Sequence, residues 1–411
     1  MAVKRNGSAP QSGGGVGLAL AGGGPLGGIY EVGALMALDE ALDGVDLHNL
    51  QAYVGVSAGA FVAACLANRF SIAQLARIFI SNESVHHPIS PSVFVTPAYR
   101  EFARRLASLP ELLMNAAGSF VRNPLDTGLM GPVWALGAAL PAGVFDNEPV
   151  HRFLADLYQT RGHTNDFREL KQKLFVVAAD LDTGESVRFG SPPYDDVPIS
   201  KAVQASTALP GLYPPVKIGD RYFVDGALQR TLHASAALET GVELLFCINP
   251  LVPYDANLAP PGPGKLHSEL VHGGLPTVMS QTFRAVIHSR MKVGMNAYDT
   301  AYEDRDVVLF EPNRQDSRMF FANVFSYSRR RRVCEHAYQT TRRDLLVRAK
   351  HLKPVLARHG IKLRMDVLED PHRNFESGLH VPTDVRRRGR YKNRMTNRLS
   401  ETLDSIEEML G

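Results

Sequence analysis

A chain of 411 residues with 45% hydrophobic and 21% charged side chains has ordinary globular proportions, which excludes a fibre or a disordered chain and allows one large domain or two. The net charge of +3 permits attraction to an anionic surface without requiring it, although Arg329–Arg332 and Arg386–Arg394 concentrate the basic residues. Three cysteines, Cys65, Cys247 and Cys334, lie far apart, so neither a disulfide framework nor a metal site is expected and a reducing compartment fits.

Residues 1–15 are polar and Gly/Ser-rich and read as a disordered lead-in without the apolar stretch of a secretory signal. Val16–Leu20 is an apolar strand. It runs into the turn Gly22-Gly23-Gly24-Pro25-Leu26-Gly27 and then a helix over Gly28–Leu42, with apolar residues at Ile29, Val32, Leu35, Met36 and Leu38. Gln51–Val54 is a second strand, Ala58–Asn68 an alanine-rich helix, and Gly55-Val56-Ser57-Ala58-Gly59 the sharp turn between them. Strand–helix alternation with apolar strands predicts a mostly parallel sheet covered on both faces.

Residues 71–149 depart from this rhythm. Helical pieces at Ile72–Ile80, Pro97–Leu109, Pro110–Phe120 and Leu129–Leu140 appear without a strand, as in a cap-like insertion, and the apolar span Leu106–Phe145 holds the only tryptophan, Trp134. The alternation then resumes. Leu174–Ala179 and Ser186–Phe189 form a hairpin over Asp182-Thr183-Gly184, Ile199–Ala208 a helix, Val216–Ile218 and Tyr222–Val224 a hairpin over Gly219-Asp220, Ala234–Glu239 a short helix, and Glu243–Ile248 a strand ending at Asn249-Pro250. After a Pro/Gly loop over Tyr254–Gly274, helices at Thr277–Asp304 and Arg330–His359 flank a strand at Val307–Glu311. The tail from Pro371 is polar and basic and ends in an amphipathic helix at Asn397–Leu410. No stretch reaches the ~18 consecutive apolar residues of a membrane-spanning helix, so a cytoplasmic location is expected, with attachment to a membrane surface allowed.

Two turns carry chemistry. In a G-x-S-x-G elbow the glycines remove side chains that would clash when the serine is forced into a strained turn. Ser57 sits in such a string, and the helix after it points N–H groups at charge developing there. The Gly22–Gly27 turn offers bare backbone N–H groups at a helix start. It also satisfies G-x-G-x-x-G, the dinucleotide fingerprint, with Asp43 or Asp46 as the later acid. That reading leaves Ser57 unexplained, whereas an oxyanion-hole reading uses both strings. A serine nucleophile needs a base. None of the fourteen histidines sits in a convincing strand-end loop, His233 coming nearest. The hairpin at Arg221–Val224 instead delivers Asp225-Gly226-Ala227 to a strand end, where a lone Asp-Gly is more commonly a turn cap.

Taken as an ordered set, Gly22–Gly27, Gly55–Gly59 and Asp225-Gly226-Ala227 resemble the patatin-like phospholipase family. The string Ala205-Ser206-Thr207-Ala208-Leu209-Pro210-Gly211-Leu212-Tyr213-Pro214-Pro215 resembles the segment before that family's aspartate hairpin, and Phe145–Pro149 its return into the sheet. The match covers Val16 to Pro250. It implies a three-layer α/β/α sandwich with a mostly parallel central sheet, a helical insertion and C-terminal helices. It further implies a Ser–Asp dyad, with Ser57 as nucleophile and Asp225 as base. Gly22, Gly23, Gly24 and Gly27 would form the oxyanion hole, and Gly55, Gly59 and Gly226 would support the elbow and dyad. The implied activity is hydrolysis of lipid acyl esters (phospholipase A, lysophospholipase or lipid esterase) without metal or cofactor. Leu26 stands where many members carry a cation, which leaves the head group open.

The expected organisation is a disordered segment over 1–15, a catalytic domain over 16–312 with its insertion at 71–149, a helical region over 313–370 and a basic tail over 371–411. Lipid or phospholipid is the expected partner, with peripheral membrane contact through the 106–145 block or the tail as a further option. Nucleic acid is not expected, because no aromatic stacking platform accompanies the charge. The alternative is a catalytically weak lipid-binding or regulatory module on the same fold.

Overall fold

The structure, a computed structural model, describes residues 15–81, 89, 92–122, 140–229, 232–255, 257–258, 271–316 and 327–379. The N-terminal lead-in to residue 14, the predicted helix Leu129–Leu140 apart from its last residue, the Arg386–Arg394 run and the terminal amphipathic helix lie outside these residues. The strands are β1 (Gly15–Leu20), β2 (Leu42–Asp43), β3 (Ala52–Val56), β4 (Thr96–Pro97), β5 (Phe145–Asp146), β6 (Lys173–Asp180), β7 (Ser186–Phe189), β8 (Val216–Ile218), β9 (Arg221–Asp225), β10 (Val242–Ile248), β11 (Asp306–Phe310) and β12 (Lys362–Leu363).

Eight of these make one sheet in the order β11-β10-β1-β3-β6-β9-β8, with β7 also paired to β6. The run from β11 to β6 is parallel, and the hairpins at its end are antiparallel. Side chains alternate between two cores with the period of two that a pleated strand imposes. Leu18 and Leu20 enter one core while Ala19 and Ala21 enter the other, and Leu244, Phe246 and Ile248 alternate with Leu245 and Cys247 in the same way. The first core lies under α1 (Gly24–Ala41) and α2 (Ala58–Ala67), and the second under the helix Gly274–Ala301. The result is a mostly parallel sheet with helices on both faces, a three-layer α/β/α arrangement.

The period of α1 alone predicts one apolar face, yet Glu31, Val32, Gly33 and Ala34 are buried as well. The helix Tyr327–Val347 crosses the other side of α1 so closely that a Cβ on Gly33 would come within 2.4 Å of the Cys334 carbonyl oxygen. The C-terminal helix therefore shares the first core, through Val333, Cys334, Ala337 and Tyr338.

Several elements differ from the sequence reading. The segments Pro97–Leu109 and Pro110–Phe120 form one helix, Tyr99–Arg122. Pro110 lies on its exposed side, where water can take the carbonyl that a proline leaves without a donor. The insertion does contain strands: Thr96 and Pro97 pair with Asp146 and Phe145, so Phe145–Asp146 closes the base of the insertion and does not enter the central sheet. Arg330–His359 divides at Arg348 into Tyr327–Val347 and Ala349–Arg358. The two-residue ladder between β2 and β12 is likewise too short to leave a periodic signal. Among the described residues, no helix is long and apolar enough to cross a membrane.

Candidate active site

Two helices begin beside each other at the carboxyl ends of β1 and β3. α1 starts in the glycine turn after β1, with Gly23 as an N-cap that has no side-chain partner, and α2 starts at Ala58. β1 lies between β3, the next strand of this sheet in chain order, and β10, which comes much later. That reversal of strand order is where parallel sheets open a crevice for ligands. Pro250, just past β10, lines it: a Cβ on Gly23 would fall 2.7 Å from its ring and one on Gly27 2.9 Å.

The elbow glycines are required by contact. A Cβ on Gly55 would sit 2.4 Å from the Ala60 Cα, and one on Gly59 would sit 2.5 Å from the Leu20 carbonyl oxygen. The start of α2 is thus pressed against both its own strand and the end of β1. Gly59→Ala should lower the unfolding free energy by about 2 kcal/mol or more, because backbone has to move. Chemical denaturation measures this, and an unchanged midpoint and slope would contradict the packing.

Ser57 holds φ 54° and ψ −123°, a strained conformation for a residue with a side chain. Gly22 abuts it, with a Cβ there meeting the Ser57 Cβ at 3.1 Å. The first-turn N–H groups of α1, which have no intrahelical acceptor, therefore open beside the serine hydroxyl. Leu26, in the same turn, is buried in the first core, so the turn itself presents no cation.

Asp225 reaches Ser57 through the edges of β6. β6 pairs with β3 up to Val56↔Val177, and at Ala178 and Ala179 it pairs with both β7 and β9. β7 already overlaps β3 at Val176 and Val177, so the two occupy opposite edges. β9 must then take the β3 edge, continuing it where β3 stops. Asp225, opposite Ala178, lands one position beyond the end of β3. Gly226 makes the crossing feasible, since a Cβ there would lie 2.4 Å from the Val177 carbonyl oxygen. The hairpin is tied to β6 by Arg221, which donates to the buried Asp180 carboxylate at 2.6 Å.

Both side chains are buried, and the Ser57 hydroxyl donates to Asp225 Oδ2 at 2.6 Å. The other carboxylate oxygen accepts the Ala227 N–H at 2.9 Å. Burial pushes the Asp225 carboxyl up to about 6, against the opposing effect of these two hydrogen bonds. A carboxylate in that range is a far better proton acceptor near neutrality than an ordinary aspartate. His233 lies instead at the approach to the short helix Ser235–Leu238, its carbonyl accepting the Ala236 N–H. Among the described residues, no cluster of three or more His, Cys, Asp or Glu could hold a metal ion.

All the glycines singled out in the sequence line this junction or its immediate supports. Sequence reasoning gave Ser206 no role. Its hydroxyl accepts the Ser57 N–H at 2.8 Å, and the only signal for it was its place in the Ala205–Pro215 string.

The patatin-like phospholipase family model matches residues 18–238, more than half of the chain. Uncharacterized NTE family proteins of Mycobacterium tuberculosis and Mycobacterium bovis are 35% identical over 82 residues, which is 20% of this chain and 13% of each relative. The matched stretch is thus a small part of those proteins. The crystal structure of VipD from Legionella pneumophila aligns with a TM-score of 0.35 and 15% identity, over 81% of this chain and 66% of that one. The family match spans both glycine turns, Ser57 and Asp225, and the chain belongs to the patatin-like phospholipase family.

Proposed function

We propose that the protein hydrolyses lipid acyl esters through a Ser57–Asp225 dyad, the reading best supported by the direct 2.6 Å bond from the buried hydroxyl to the buried carboxylate. Ser57 Oγ attacks the ester carbonyl carbon as its proton passes to Asp225 Oδ2. The negative oxygen of the tetrahedral intermediate is held by N–H groups of the Gly22–Gly24 turn at the start of α1. Collapse breaks the bond to the alcohol, which leaves with the proton from Asp225. The carboxylate then takes a proton from water, whose oxygen attacks the acyl-serine. Fatty acid departs and the Ser57 hydroxyl is restored.

The catalytic unit is placed in residues 16–312, with the C-terminal helices bracing α1. Three buried unpaired cysteines fit a cytoplasmic setting. Purified protein should release fatty acid from p-nitrophenyl esters and from lysophospholipid or phospholipid without added metal. Strong lipid binding with no cleavage of any acyl ester would contradict the assignment and favour a binding module.

Access to substrate is proposed to run through the helix Tyr99–Arg122, which docks on an anionic bilayer. In this helix Glu101 is buried against the protein and bonded to Arg104 and Arg105, and Ser108, Leu109 and Leu112 are half-buried. Its apolar stripe faces outward: Tyr99 is 73% exposed, Phe102 43%, Leu106 71% and Met114 69%, at helical spacing. Arg100 and Arg104 flank the stripe, as anionic head groups require. Phe102→Glu with Leu106→Glu should weaken co-sedimentation with phosphatidylserine-containing vesicles by about 10-fold or more. Undiminished sedimentation would refute the docking surface.

A further inference from the structure

We propose that Ser206 is a positioning residue that sets the Ser57 hydroxyl against Asp225, an inference that rests on the hydrolase reading of that pair. The reason lies in the ladder between β3 and β6. Lys173 N–H donates to the Gln51 carbonyl at 3.2 Å, and the register runs from Ala52↔Lys173 to Val56↔Val177. Alternate residues face a given neighbour, so, following the Gln51 carbonyl, Tyr53, Gly55 and Ser57 turn toward β6. The next rung would therefore join the Ser57 N–H to the Val177 carbonyl.

The Ser206 hydroxyl takes that rung. It accepts the Ser57 N–H at 2.8 Å and donates to the Val177 carbonyl at 2.6 Å. Inserting one oxygen keeps both buried backbone groups satisfied while holding them apart by an atom's width. The chain at Ser57 can then leave the sheet and adopt its strained turn, and the freed edge of β6 receives β9. Ser206 is fully buried at the end of the helix Ile199–Ser206. Two residues later, the Ala208 carbonyl accepts the Asp225 N–H at 3.0 Å. One short segment thus grips the backbone of both reacting residues and fixes their separation. This also gives the Ala205–Pro215 string a physical purpose. Because the Ser57 N–H is spent on Ser206, it is not among the donors that can hold negative charge on substrate oxygen.

Ser206→Ala removes the inserted oxygen. Its crystal structure should show the Ser57 N–H closing toward the Val177 carbonyl, with Ser57 Oγ drawn out of hydrogen-bond reach of Asp225. With p-nitrophenyl butyrate, kcat should fall roughly 100-fold while KM changes less than about two-fold. Ser200→Ala is the control: that hydroxyl is also fully buried on the same helix and bonds His151 Nδ1 and Asn165 Nδ2, each at 2.9 Å. It should lower the melting temperature comparably and leave kcat within about three-fold. If Ser206→Ala does not fold, Ser206→Cys, with its weaker donor and acceptor, takes its place in both measurements.

A Ser57–Asp225 bond that persists near 2.6 Å in the variant's crystal structure would overturn the proposal. So would an unchanged kcat, or equal kcat losses in Ser206→Ala and Ser200→Ala. A wild type inactive on every ester would instead overturn the hydrolase reading, and the crystal structure alone would then decide the role of Ser206.

Discussion

Ser57→Ala is expected to abolish ester turnover, with kcat falling on the order of 10⁵-fold or more, while the protein still folds. The hydroxyl is the only described group of the site bonded directly to Asp225 Oδ2, so no neighbour can replace it as attacker. The backbone cost of φ 54° persists, because alanine carries the same Cβ. What changes in the folded state is the buried carboxylate, which loses a donor worth about 1.5–3 kcal/mol to a charged acceptor. Stability should therefore drop near pH 7 and much less near pH 4, where the carboxyl is neutral. Residual turnover above about 1% would mean that another nucleophile is at work.

Asp225→Asn should also cut turnover severely and shift stability in the opposite direction. The amide cannot take the serine proton, and loss of a positioned base alone costs about 10²–10⁴-fold. The carboxyl of Asp225 is raised by burial to about 6 in the folded state, compared with about 3.9 unfolded. A group raised on folding favours the fold fully below its unfolded value, and that contribution is lost as pH climbs through its folded value. The loss is about 3 kcal/mol, accrued between roughly pH 4 and pH 6. Asparagine stays neutral and avoids it. Its melting temperature should match wild type at pH 4 and exceed it from pH 6 upward, while kcat/KM of the wild type falls as pH drops below about 6. Parallel stability profiles for the two proteins would contradict a buried, charged Asp225.

The sheet and both glycine turns were legible in the sequence because they are local. Strands such as Leu174–Ala179 announce themselves by period and apolarity, and the elbow by glycines that backbone contact demands. Ser57 and Asp225 are 168 residues apart, and their meeting depends on which edge of β6 receives β9, which no local pattern encodes. The role of Ser206 depends on one hydroxyl inserted into a ladder, and an Ala-Ser dipeptide at a helix end carries no mark of that. The burial of α1 beyond its one apolar face escaped for a related reason, since the helix that covers it lies some 300 residues later. The strands at Thr96–Pro97 and Phe145–Asp146 are too short for any period to register.

The most direct test of the account is covalent labelling. A fluorophosphonate probe reacts with a serine only when a neighbouring base and an oxyanion site activate it. Incubated with the purified wild type and mapped by peptide mass spectrometry, it should modify Ser57 stoichiometrically and no other serine. It should leave Ser57→Ala unlabelled and label Asp225→Asn far more slowly. Wild-type protein that stays unlabelled at Ser57, or that is labelled equally fast without Asp225, would contradict the dyad.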